Sequence, residues 1–287
     1  MGARLRWVAV ALTRGLTDLP IGMGLFVSSL TFTTFLWLDL PLSPRWIAAS
    51  GLIFFALYGV NRLTDLAEDT LTQPDRAAFV ARRWWTLAGA FAAAFVAGGA
   101  LAWTAGISVA ALAPCALAVP VYSAPWLPGG RRLKDLTLAK SLFAGFFLVY
   151  GSAGLVVAYA PDGAPGAAPM LAFVYARVVM NTVLCDVPDA PGDRALGVMT
   201  VPARFGVART LAVLQAANLA VTLVAAAAWW GEPVPIAVIA GAAVAAEAVL
   251  AAARRGLVGV ALKTAADLEV VAWAVYGGVA WGWTSGG

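Results

Sequence analysis

The chain has 287 residues, of which 62% are hydrophobic and only 12% are charged. This composition excludes a soluble globular domain, because a soluble core of this size cannot bury so much apolar surface. The net charge of +4 does not indicate nucleic-acid binding, since basic residues in a membrane protein follow its topology and attract anionic membrane lipids.

The hydropathy pattern predicts about nine transmembrane helices, because a helix needs about 20 apolar residues to cross roughly 30 Å of hydrocarbon. In chain order they cover residues 16–38, 46–60, 84–105, 107–122, 140–160, 169–186, 208–230, 233–252 and 268–284. The breaks at Gly106 and between Gly231 and Pro235 are typical helix ends and predict short hairpins. The predicted fold class is an all-α integral membrane protein, with the helices in one bundle around a central cavity and residues 1–287 in a single domain.

The basic residues lie almost entirely on one predicted side of the membrane. Of the 19 lysines and arginines, only Arg45 falls on the opposite side, and Arg177 falls within a predicted helix. The positive-inside rule places the basic side in the cytoplasm. We therefore expect a multi-pass protein whose long loops face the cytoplasm.

A first acidic cluster follows the second predicted span. Asn61, Asp65 and Asp69 recur at every fourth residue and so share one face of a helix, with Glu68 beside them. A carboxylate inside a membrane costs about 2.5 to 3.5 kcal/mol by insertion scales. The cluster therefore needs cations to be tolerated.

A second acidic cluster follows the sixth predicted span and contains Asp186, Asp189 and Asp193. Asp189 and Asp193 repeat the fourfold spacing. Pro188 and Pro191 make a regular helix unfavourable here, and predict a broken helix end whose backbone lines a polar cavity.

The two clusters together predict one shared ligand. One acidic run at a helix end is ordinarily a solvated surface, but two runs with equal spacing on the same membrane side favour a common site. Mg²⁺ prefers oxygen ligands and binds through one or two carboxylates together with substrate phosphates. The sequence contains no histidine, which excludes His-dependent zinc sites and Ser-His-Asp hydrolysis.

On these motifs the sequence resembles the UbiA superfamily of intramembrane prenyltransferases. Residues 61–69 match the NxxxDxxxD motif of that family, and residues 189–193 match its DxxxD motif. The stretch 192–206 is similar to the GDRxxGxxTxPxxxG continuation of the second motif. The resemblance extends to the hydropathy of the whole chain, since family members have nine helices.

The resemblance implies that Mg²⁺ assists ionisation of a polyprenyl diphosphate and that an acceptor captures the allylic cation. The implied catalytic residues, which would hold Mg²⁺ and the diphosphate, are Asn61, Asp65, Asp69, Asp189 and Asp193. The implied metal ligands are Asp65, Asp69, Asp186, Asp189 and Asp193.

A diphosphate also needs cationic partners besides the metal. Basic residues at the same face supply the candidates, and Tyr122 ends a predicted helix where it could line the cavity. The candidate substrate-binding residues include Arg62, Arg76, Arg132, Lys134, Lys140, Arg194 and Tyr122.

The leading hypothesis is Mg²⁺-dependent transfer of a prenyl group from a polyprenyl diphosphate to a hydrophobic acceptor, aromatic or lipid, inside the membrane. One alternative is a terpene cyclase of the same superfamily, which ionises the same donor but closes the chain on itself. A second alternative is a cation-coupled transporter, because transporters also place aspartates in broken helices.

Overall fold

The computed structural model describes residues 19–160, 164–195 and 197–285. Within these ranges the chain is built from helices joined by turns and short loops. The helices are α1 (Ile21–Trp37), α2 (Pro44–Thr64), α3 (Leu66–Thr72), α4 (Pro74–Arg82), α5 (Trp84–Thr104), α6 (Val109–Ser123), α7 (Ala139–Ala158), α8 (Ala167–Cys185), α9 (Ala190–Ala195), α10 (Val201–Phe205), α11 (Val207–Ala228), α12 (Pro233–Arg254) and α13 (Gly259–Ser285).

A helix coincides with every predicted span, although residues 16–18 of the first span lie outside the described ranges. Two boundaries differ from the prediction. Helix α2 continues to Thr64, and α13 begins at Gly259 rather than near residue 268. Both extensions carry charged side chains that line the cavity described below, so hydropathy alone places the helix ends too early or too late.

Within the described residues, six helices are long and apolar enough to cross a membrane by length and composition: α2, α5, α7, α8, α11 and α12. Helices α1 and α6 are apolar but shorter. The fold is therefore that of an all-α, multi-pass integral membrane protein. The count of nine spans remains a prediction.

The long helices form a closed ring. Neighbours along α1, α2, α6, α7, α8, α11, α12 and α13 pack against one another, α13 returns to pack on α1, and α5 lies against α2. Small residues bring some backbones close together, as membrane helices require for van der Waals packing. A Cβ atom built on Gly24 of α1 would lie 3.1 Å from the carbonyl oxygen of Gly51 on α2.

A polar network lies inside this ring among α8, α11, α12 and α13. The Arg177 side chain is only 1% exposed and donates to Asn218 and to the carbonyl oxygen of Ala242. A carboxylate oxygen of Glu269 lies 3.4 Å from the guanidinium. Because a buried charge is costly unless it is paired and hydrogen-bonded, Arg177 belongs to the bundle interior and is not an interfacial anchor.

Candidate active site

The two acidic motifs meet at one end of the ring and line a single cavity of about 310 Å³. The first motif reaches it from the end of α2 and from α3, and the second from the end of α8 and from α9. Residues of α1, α4, α7, the first half of α13 and the loop between α6 and α7 also line the wall. The lining residues from the motifs are Asn61, Asp65, Asp69, Asp186, Asp189 and Asp193.

The first motif keeps its fourfold spacing although α2 ends inside it. Asp65 follows the last residue of α2, and its backbone N–H donates to the Asn61 carbonyl oxygen at 2.9 Å. The Asn61 side-chain amide donates to the Asp65 carboxylate, also at 2.9 Å. The backbone N–H of Asp69 in turn donates to the Asp65 carbonyl oxygen at 2.9 Å. All three side chains therefore stay on the cavity side.

Cations from the loop between α6 and α7 neutralise part of this motif. The Lys134 ammonium, in a side chain only 7% exposed, lies 2.8 Å from Asp65 and 3.0 Å from Glu68. Arg132 pairs with Glu68, and with Asp135 at 2.8 Å. Burial raises the pKa of Asp65 above its usual range despite Lys134. For Glu68, burial acts in the same direction, but the hydrogen bonds from Arg132 and Lys134 prevail and lower its pKa.

Asp69 is held by an arginine from α4. The Arg76 guanidinium donates to the two Asp69 carboxylate oxygens at 2.6 and 3.2 Å. This two-point contact fixes the orientation of the carboxylate as well as neutralising it.

The second motif begins where α8 breaks, as the prolines predict. Helix α8 ends at Cys185, residues 186–189 form a turn, and α9 begins at Ala190. One oxygen of Asp186 accepts from Lys140 at 2.6 Å, while the other is buried without a hydrogen-bond partner among the described residues. Burial raises the pKa of Asp186 even though Lys140 opposes the shift.

The other two aspartates of this motif are also bonded. Asp189 accepts from Lys263 of α13 at 2.5 Å, and Asp193 accepts from the Thr200 hydroxyl at 2.9 Å. Burial raises the pKa of Asp193 to about 6, which Lys140 and Thr200 only partly oppose. Asp186 and Asp193 therefore take up protons more readily than free aspartate.

Solved structures of similar fold include two UbiA homologues, one from Aeropyrum pernix K1 without ligand and one from Archaeoglobus fulgidus bound to DMAPP and Mg²⁺. The first has a TM-score of 0.59 and 20% identity, and covers 89% of this chain and 98% of its own. The second has a TM-score of 0.59 and 17% identity, with coverages of 91% and 98%. This chain has the UbiA fold.

A third structure with this fold is a digeranylgeranylglyceryl phosphate synthase, with a TM-score of 0.51, 13% identity, and coverages of 93% of this chain and 98% of its own. No protein-family model matches the sequence, and no curated protein matches it. The three solved structures confirm, at the level of the fold, the resemblance inferred from the two motifs.

Within the UbiA fold, the structure brings together all but one of the predicted basic and aromatic candidates. The candidates that line the cavity are Arg62, Arg76, Tyr122, Arg132, Lys134 and Lys140. Arg194 does not line it, because its guanidinium donates to the Ala203 carbonyl oxygen at 2.7 and 3.0 Å. Arg194 thereby joins α9 to α10.

Two cavity residues on α13, Lys263 and Asp267, were not singled out by the sequence motifs. Residues 253–267 were assigned to a basic loop because their hydropathy is low. The fourfold separation of Lys263 and Asp267, directly before an apolar run, is the signal that could have placed them on one helical face.

The donor set of this UbiA-fold site fits Mg²⁺ bound jointly with a phosphate ligand. Among the described residues, no three carboxylates converge on one metal position. Mg²⁺ instead takes one or two carboxylates and completes its octahedron with phosphate oxygens and water. The buried Asp186 oxygen, which has no hydrogen-bond partner in the described part of the chain, could serve as a ligand for such an ion.

Proposed function

We propose that this chain is an intramembrane prenyltransferase that, with Mg²⁺, transfers a prenyl group from a polyprenyl diphosphate to a hydrophobic acceptor. The observation that carries the proposal is the convergence of two acidic motifs and several cations on one cavity in a UbiA fold. Carboxylates would bind the metal, and lysines and arginines would bind the diphosphate. We also propose that residues 1–287 act as a single domain.

Each group in the cavity has a role in this reaction. Asn61 would orient Asp65, while Asp65, Asp69, Asp186, Asp189 and Asp193 would hold Mg²⁺. When bound, the metal neutralises charge that develops on the departing diphosphate.

The lysines are positioned to exchange partners. Lys134, Lys140 and Lys263 each contact a motif carboxylate. Where a metal takes over that carboxylate, the ammonium group can donate to a diphosphate oxygen instead. Arg76 and Arg132 lie beside them in the cavity wall and would add further donors.

The cavity also offers apolar surface for a hydrocarbon chain. Met23, Ala144 and Leu148 line it together with the charged residues. Apolar walls bind the chain and exclude water, which would otherwise capture an allylic cation.

The solved structures of similar fold support a prenyl diphosphate as the donor. The Archaeoglobus fulgidus homologue is bound to DMAPP, a prenyl diphosphate, and to Mg²⁺. The third neighbour is a synthase described as acting in membranes. The positive-inside rule supports a cytoplasmic location for the charged mouth, because the basic loops surround it.

The test is turnover of the purified protein in lipid nanodiscs with labelled DMAPP or a longer prenyl diphosphate. Mg²⁺ should support diphosphate release and prenyl transfer, and EDTA should abolish both. Asp65→Ala and Asp189→Ala should also lose both, while Glu232→Gln, an exposed residue before α12, should match wild type. Full activity of both alanine variants or in EDTA would contradict the proposal.

The same assay separates the alternatives. A cyclic hydrocarbon formed without acceptor would assign the chain as a terpene cyclase. Cation flux into proteoliposomes with no diphosphate release would assign it as a transporter.

A further inference from the structure

Asp267 differs from every other cavity carboxylate that the structure describes. Of these carboxylates, it alone accepts no hydrogen bond and forms no ion pair. The aspartates of the two acidic motifs each accept a hydrogen bond from a lysine, an arginine or a hydroxyl. Asp267 therefore keeps its full capacity to accept a hydrogen bond from a ligand.

The position of Asp267 is set by α1. A Cβ atom built on Gly22 would lie 2.8 Å from an Asp267 carboxylate oxygen, so the absence of a side chain at Gly22 makes room for the carboxylate. Lys263, one turn earlier on α13, donates a hydrogen bond from its ammonium group to Asp189. The Asp267 carboxylate thus lies against α1 in the cavity wall, one helical turn from Lys263.

Tyr58 of α2 lines the same cavity as Asp267. Its hydroxyl forms no hydrogen bond with any residue in the described ranges. Arg62, Lys263 and Cys185 also line this cavity. A hydroxyl and a carboxylate therefore face the cavity together, both with unused hydrogen-bonding capacity.

We propose that Asp267 accepts the proton of the acceptor, and that Tyr58 and Asp267 together bind a neutral, hydroxyl-bearing acceptor. This inference rests on the proposed prenyl transfer. An unpaired carboxylate in a low-dielectric cavity gains a hydrogen bond when a hydroxyl binds to it. It repels a carboxylate or phosphate at the same position, which excludes an anionic group from this end of the acceptor.

The bond between C1 of the prenyl chain and the diphosphate oxygen breaks, and its electron pair leaves with the diphosphate. A lone pair of the acceptor hydroxyl oxygen forms the new carbon–oxygen bond to the allylic cation. The hydroxyl proton passes to the Asp267 carboxylate, since the chain has no histidine to take it.

The test separates ionisation of the donor from transfer. Labelled DMAPP is supplied with Mg²⁺ and one of two neutral acceptors, 4-propylphenol or 1-O-octylglycerol, and diphosphate and prenyl ether are measured separately. Asp267→Asn should release diphosphate within about threefold of wild type but form prenyl ether about 100-fold to 10,000-fold more slowly, the usual contribution of a general base. Glu232→Gln is the matched control and should equal wild type.

Binding supplies a readout apart from turnover. Affinity of the Mg²⁺-free protein for 4-propylphenol is measured by tryptophan fluorescence. Asp267→Asn can still accept a hydrogen bond and should bind nearly as wild type. Asp267→Ala should bind about tenfold or more weakly, because it lacks the acceptor atom.

A second variant guards against misfolding of the first. Gly22→Ala keeps the carboxylate but displaces it, and should also lose ether formation while releasing diphosphate. Ether formation at the wild-type rate by folded Asp267→Asn or Gly22→Ala would overturn the inference. Diphosphate release by wild type with neither hydroxyl acceptor prenylated would overturn it too, whereas no diphosphate release by wild type would refute the proposed function itself.

Discussion

The Lys134 ammonium lies 2.8 Å from the Asp65 carboxylate, although the two residues are 69 positions apart in the chain. This ion pair ties the loop between α6 and α7 to the end of α2 and is largely buried. The same ammonium contacts Glu68. One lysine thereby compensates two carboxylates of the first motif in the absence of metal.

Lys134→Met should destabilise the Mg²⁺-free protein, because it leaves Asp65 and Glu68 with less positive charge in a partly buried site. Breaking a buried pair costs about 3 to 5 kcal/mol, and the exposure of Glu68 places the expected loss at or below that range. Mg²⁺ can replace the missing charge, so it should raise the melting temperature more in the variant than in wild type. Thermal unfolding with and without Mg²⁺ measures this difference.

The control for this experiment is Arg131→Met, which removes an exposed basic residue from the same loop. It should change neither the melting temperature nor its response to Mg²⁺ by more than the experimental error. Equal Mg²⁺ responses of Lys134→Met and wild type would show that Lys134 and the metal do not compete for the motif.

The raised pKa of Asp193, about 6, predicts opposite pH dependences with and without metal. Folded Asp193 retains its proton to higher pH than unfolded aspartate, whose pKa is about 3.9. In Mg²⁺-free protein the stabilising contribution of Asp193 is fully present below the pKa of unfolded aspartate, about 3.9, and is lost as pH rises through about 6. Mg²⁺ binds the deprotonated form, so metal affinity should rise over the same pH range.

Asp193→Asn isolates this effect from the other carboxylates. The melting temperatures of wild type and variant are measured without metal from pH 4.5 to 7.5. As pH rises, the melting temperature of wild type should fall relative to that of the variant. A difference that stays constant across this range would contradict the assigned pKa.

Arg76→Lys should impair turnover although it preserves the charge. The guanidinium contacts both oxygens of Asp69, and a lysine cannot reproduce two parallel hydrogen bonds. We expect kcat/KM for DMAPP to fall about tenfold, since a weakened hydrogen bond between charged groups is worth about 1.5 kcal/mol. The control is Arg82→Lys, at an exposed position of the same helix α4. An equal effect of both substitutions would show that the contact between Arg76 and Asp69 does not account for the loss of turnover.

The sequence predicts those features that depend on local pattern. Apolar runs locate the long helices, because lipid-facing and core-facing positions alike must be apolar in a membrane. The fourfold spacing locates the two acidic motifs, and the prolines after Asp186 predict the break at the end of α8. These signals reside within one or two helical turns.

Other features depend on which helices become neighbours, and no local pattern encodes them. The start of α13 is missed because Lys263 and Asp267 lower the local hydropathy while facing the cavity. The sequence likewise does not predict the partner of each basic side chain. Arg194 lies where a diphosphate ligand is expected, yet it donates to the carbonyl oxygen of Ala203. Pairing of Lys134 with Asp65 requires the folded ring.

Two adjacent glycines on α5 test the packing of that helix against α2. A Cβ atom on Gly98 would lie 2.8 Å from the Ile53 side chain and 3.1 Å from the carbonyl oxygen of Ala49, whereas a Cβ atom on Gly99 would meet nothing within 4 Å. Gly98→Ala should therefore lower the free energy of unfolding by about 1 to 3 kcal/mol, the usual cost of overpacking. Gly99→Ala should be neutral or slightly stabilising, because alanine favours helix over glycine by about 1 kcal/mol. Chemical denaturation in detergent micelles measures both variants, and equal stability of the two would show that α5 does not approach α2 as closely as these distances require.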